Sequence, residues 1–177
     1  MCKNVNTGAT IALIAAMVFG VSVPNAHADI LVAQTRTSAA VYGGATYTVD
    51  FNGAAAGGTT FTFDTVDPDT RIMIIFNAEC AVEGEVWRWL DVDIMLDPAG
   101  GAGEVAVSPS SGDNAFCSGN GTSTAGGGDF TLDGWVSAST VATAVLSTPG
   151  THSIRVRVDG AHSGVARLDD MSLIVAR

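Results

Sequence analysis

VWRWLDVDIML, residues 86–96, is the stretch whose reading decides the fold. Its side chains alternate with period two. Val86, Leu90, Val92, Ile94 and Leu96 fall on one face, interrupted only by Arg88. Trp87, Trp89, Asp91, Asp93, Met95 and Asp97 fall on the other. Successive side chains of a strand point to opposite sides, so the pattern predicts a strand with one apolar and one polar face. Such a face is stable only when a second layer covers it.

The neighbouring segments supply that layer. In RIMIIFNAEC, residues 71–80, Ile72, Ile74, Phe76, Ala78 and Cys80 share one face. Met73 and Ile75 make the other face apolar as well, which predicts a central strand covered on both sides at its middle. In HSIRVRV, residues 152–158, Ile154, Val156 and Val158 alternate with Ser153, Arg155 and Arg157. A strand-like run, residues 136–146, precedes it across Ser147-Thr148-Pro149-Gly150. Proline followed by glycine suits a type II turn, so these two runs are expected to form a hairpin.

Shorter runs of strand character occur at 30–33, 45–51, 59–63, 104–107 and 168–175. Asp67-Pro68-Asp69 marks a turn, and residues 108–129, rich in Gly, Ser and Asn, read as one long loop. No segment sustains a helical period. About eight to ten short strands with Gly- and Pro-rich connections predict an all-β fold, a two-layer antiparallel β-sandwich of jelly-roll type. Its middle would be lined by Ile74, Phe76, Leu90, Val92, Ile94, Val156 and Val158.

Residues 1–28 have the features of a secretory signal peptide: Lys3, an apolar run over 11–21, Pro24, then Ala26-His27-Ala28 as a cleavage triplet. The run is short for a membrane span. Cleavage would leave residues 29–177 as one secreted domain without a membrane span, periplasmic or extracellular. That length suffices for a proper core. Lys3 leaves with the leader, taking the whole chain's net charge of −10 to −11. So acidic a surface repels phosphate backbones and anionic membranes, which argues against a nucleic-acid partner. Cys2 also leaves, and the remaining Cys80 and Cys117 are expected to form a disulfide in an oxidising compartment.

Chemistry is sought first on the polar face of residues 86–96. Neighbouring tryptophans stack on the apolar faces of sugar rings while carboxylates accept hydroxyl hydrogens, so Trp87, Trp89, Asp91 and Asp93 are the candidate ligand site. The structural alternative pairs those aspartates with Arg155 and Arg157 on an adjacent strand. Asp64, Asp67 and Asp69 are candidate calcium ligands, calcium being the one cofactor the composition suggests. His152 and His162 are the histidines of the mature chain, and no G-x-S-x-G motif frames a serine.

The order of a strand ending FNAEC, a WLDVDI strand, a cysteine-bearing loop, TPGTHSIRVRV and LDDMSLIV resembles bacterial exported jelly rolls. That fold is shared by carbohydrate-binding modules and by C1q-like and tumour-necrosis-factor-like heads. The resemblance implies a fold and carries over no functional residue. The expected function is a secreted, non-enzymatic β-sandwich that binds a glycan or another cell-surface ligand. A structural subunit that self-associates into a fibre or coat by strand exchange is the alternative, and a small secreted hydrolase the third reading.

Overall fold

The computed structural model describes residues 28–53, 58–83, 88–97, 100, 103–108, 115–119, 135–159 and 165–177. Residues 1–27 (nearly all of the expected signal peptide), Trp87, His162 and most of the expected long loop lie outside these. Among the described residues there are eleven strands and no helix: β1 (Ile30–Arg36), β2 (Ala40–Gly43), β3 (Thr46–Thr48), β4 (Phe61–Thr65), β5 (Thr70–Val82), β6 (Trp89–Leu96), β7 (Val105–Ser108), β8 (Ala115–Ser118), β9 (Val136–Leu146), β10 (Gly150–Asp159) and β11 (Val165–Ala176). No helix of the described residues is long and apolar enough to cross a membrane.

The strands form two antiparallel sheets packed against each other, a β-sandwich. The first runs β1-β11-β5-β9, with β2 also on β11. The second runs β3-β10-β6-β7, with β4 also on β10 and β8 also on β6. Alternation then determines what lies between them. Ile72, Ile74, Phe76 and Ala78 of β5 meet Leu90, Val92, Ile94 and Leu96 of β6, with Ile154, Val156 and Val158 of β10 beside them, all buried in one core. The seven residues expected to line the middle are all there. Phe51 joins the two layers edge-on, its ring centroid 5.5 Å from that of Phe61 and 6.3 Å from that of Phe76.

Three expectations are corrected. First, residues 136–146 and 152–158 form no hairpin. β9 pairs with β5 over eleven registered positions from Thr70↔Leu146 to Cys80↔Val136, whereas β10 lies in the other sheet between β6 and β3/β4. Residues 147–149 therefore arch from one sheet to the other, helped by Gly150 at φ 131°. The physical reason is that alternation says which face is buried, not which sheet the strand joins. Leu146 and His152, on either side of the arch, both point into the same core.

Second, β5 is central within its sheet but open on its outer face. Met73 is 45 % exposed and Ile75 half-buried, because no further layer crosses β5 there among the described residues. Third, the segment read as one long loop contains β8, which pairs with β6 through Trp89↔Ser118, Leu90↔Cys117 and Asp91↔Ala115. What holds it in place, besides that pairing, is side-chain burial. Cys117 is disulfide-bonded to Cys80, Cα to Cα 6.3 Å, and Phe116 packs on Phe76 with ring centroids 5.4 Å apart. Phe116 thus plugs the core edge.

Local chemistry holds the edges. Arg36, at the end of β1, donates to the Asp50 carbonyl at 2.6 Å and to the Ser38 carbonyl at 2.8 Å, so one guanidinium ties down two turns. Tyr42 is buried beside it. Burial raises its phenol pKa above the usual value, opposed by the Asp50 backbone and the Arg36 guanidinium. Gly58, at φ 66°, has room for no other residue: a Cβ there would sit 2.2 Å from the Thr48 Cβ and 2.7 Å from its carbonyl oxygen. That approach lets Thr59 donate its N–H to the Val49 carbonyl at 2.9 Å and accept the Phe51 N–H on its hydroxyl at 2.9 Å.

Candidate functional site on the outer face of β6

The outward residues of β6 and its neighbours form rows across the second sheet. Trp89 stands opposite Ser118 of β8. In the next row Asp91 faces Asp159 of β10, which in turn faces Thr46 of β3. Then come Asp93, Arg157 and Thr48, and after them Met95 with Arg155. Period two in β6 and in β10 supplies each set. The antiparallel register, pinned by Val158↔Val92 and Val156↔Ile94 in the core, decides who faces whom.

The charges on this face are organised. Arg157 donates from Nε to Asp93 Oδ2 at 3.1 Å and from Nη2 to the same oxygen. Both groups are partly solvated, so the pair contributes no more than about 1 kcal/mol to stability. What it does is hold Asp93 still. Arg155 turns away from the aspartates: Nε and Nη2 clasp the Glu104 carboxylate at 2.7–3.0 Å, and Nη1 donates to the Thr48 hydroxyl at 2.6 Å. The expected pairing of the aspartates with Arg155 and Arg157 is therefore met at Arg157 alone. Met95, opposite Arg155 on β10, is only 8 % exposed despite pointing outward.

Asp91 and Asp159 are directly opposed carboxylates. Like charges across a strand pair cost stability unless hydrogen-bond donors are gathered round them. One such donor is the Thr46 hydroxyl, 3.2 Å from Asp159 Oδ2. Asp91 is half-buried beside half-buried Trp89. A flat ring next to two acceptor-rich carboxylates is an arrangement suited to a ligand carrying hydroxyl donors on an apolar framework.

Of the sequence-derived site residues, the structure brings together Trp89, Asp91 and Asp93, while Trp87 falls outside the described residues. Asp159 was missed. The signal for it was present, since it continues the outward set of residues 153, 155 and 157, but only the register aligns it with Asp91.

The candidate calcium ligands are dispersed in role. Asp64 accepts the Thr151 hydroxyl on Oδ1 at 2.6 Å, the Asp67 carbonyl accepts the Thr70 hydroxyl at 2.7 Å, and Asp69 sits at φ 55° in the turn. Among the described residues no group of three or more His, Cys, Asp or Glu side chains is placed to hold a metal ion. His152 is also accounted for. It is 1 % exposed, Nδ1 donating to the Asp97 carbonyl at 3.0 Å and Nε2 accepting the Thr65 hydroxyl at 3.0 Å. A carbonyl only accepts, which places the ring proton on Nδ1. So enclosed, the imidazole braces β10 against β4 and the end of β6.

Compared with known families and with curated proteins, the sequence matches no family model and no curated protein.

Proposed function

We propose that this protein is a secreted, non-enzymatic β-sandwich module that binds a polyhydroxylated ligand, a glycan in the first instance, on the outer face of β6. One observation carries the reading: Trp89, the Asp91/Asp159 pair and the Arg157-clamped Asp93 occupy consecutive rows of one sheet face. A rigid strand holds stacking ring and acceptors at fixed spacing, which lowers the entropy lost on binding. Trp89→Ala is expected to weaken retention on an immobilised glycan panel at least about tenfold, the loss of one stacked ring, with little change in melting temperature. Unchanged retention of every glycan that the native chain holds sinks the proposal.

A second reading, a fibre or coat subunit, is favoured by the position of β1. It is the first strand and lies at a sheet edge, and among the described residues β11 is its one hydrogen-bonded neighbour, over Ile30↔Ala176 to Arg36↔Met171. Such a strand can be lent to another copy. Size-exclusion chromatography of the exported chain separates the two readings: a monomer at all concentrations removes strand exchange. The hydrolase reading draws no support from His152, whose two ring nitrogens are committed inside the core.

A further inference from the structure

The open outer face of β5 has a use that the glycan site does not absorb. Where β5 begins and β9 and β11 end, register puts Met73 between Thr143 on one side and Ala176 on the other, with Arg71 opposite Val145. Small side chains flanking a large one leave a trough. A groove of about 460 Å³ lies there, walled by Met73, Thr143, Val145 and Ala176, with Arg71 and Arg177 at its rim. That volume is within the usual range for small-molecule sites.

Charge says what fits. The chain is strongly acidic, yet both charged residues of this groove are arginines. Arg177 is neutralised by Asp29, Nε and Nη2 donating to Oδ2 at 3.0 and 2.8 Å. Arg71 is exposed and has no ion-pair partner among the described residues. Ala28 also lines the groove. Cleavage after Ala28 would open that wall, and the α-ammonium it leaves on Asp29 stays bonded to the Arg177 main-chain oxygen, so Arg71 remains the anchor for an anion. Asp29 is held there by a reciprocal backbone pair with Arg177, both N–H···O distances 3.0 Å.

We propose that this groove binds a free aliphatic carboxylate, its chain along Met73 and Val145 and its head group on the Arg71 guanidinium. The site is on the opposite sheet from Trp89, so the two proposals stand or fall separately. Exported chain, its N-terminus read by mass spectrometry, is titrated calorimetrically with dodecanoate below its micelle concentration. Butyrate supplies the head without the tail, and dodecyltrimethylammonium the tail with the opposite charge. The expected result is saturable one-site binding of dodecanoate, weakened about five- to tenfold in Arg71→Gln and unchanged in Trp89→Ala, with neither control ligand saturating the site. Arg71 is exposed, so the variant is expected to fold, and its melting curve checks this. Absence of saturable dodecanoate binding, equal binding of the cationic amphiphile, or an Arg71→Gln variant as tight as the native chain each overturns the proposal.

Discussion

Replacing Cys80 and Cys117 together with serine is expected to lower the unfolding free energy by roughly 3 to 4 kcal/mol, the loop-closure entropy of the 37-residue separation. For a domain of this size that corresponds to a fall in melting temperature of about 10 °C. The location makes the loss a structural one too. Cys80 belongs to β5 in the first sheet and Cys117 to β8 in the second, so the bond staples the two layers together. β8 is four residues long, and its other anchors are the pairing with β6, the Phe116 ring on Phe76 and the Gly119 N–H on the Arg88 carbonyl at 2.7 Å. Thermal melts with and without reductant make the measurement. The native chain should drop to the level of the double-serine variant on reduction, and the variant should not respond. A native melt indifferent to reductant would mean that the two sulfurs are not bonded.

Ile94→Ala is expected to cost about 3 kcal/mol, within the roughly 2 to 5 typical of truncating a buried aliphatic side chain. Ile94 is fully buried in the middle of β6, paired with Val156 and facing the β5 side chains across the core. The cavity cannot collapse readily, because strands on both flanks hold the β6 backbone. Val141→Thr is the matched control. It lies on the outer face of β9, 56 % exposed, and keeps a β-branched shape, so a change within about 0.5 kcal/mol is expected. Denaturant titration of both variants reads out the sidedness of the sandwich. Equal effects at the two positions would contradict the inward and outward assignments on which both proposed sites depend.

The candidate site was half legible in the sequence. Trp89, Asp91 and Asp93 follow from alternation within a single strand, a local property of the backbone. Asp159 and the Arg157 clamp depend on register between strands some sixty residues apart, and no local rule supplies that. The groove at Met73 was hidden for a related reason. Apolar residues on both faces of β5 predict two covering layers, but the number of layers is decided by the whole chain, and here only one face is covered.

What the sequence alone determined is therefore the strand character of the long segments, the inward faces of β5, β6 and β10, and the pairing of Cys80 with Cys117. These follow from side-chain periodicity, φ/ψ preferences and a count. Tertiary structure decided the rest: that β9 and β10 belong to different sheets, that β8 forms within a glycine-rich stretch, and that Asp159 stands opposite Asp91. The physical reason is that backbone hydrogen bonds between strands are nearly blind to residue identity. Which strands pair, and in what register, is selected only when all the apolar faces are packed at once.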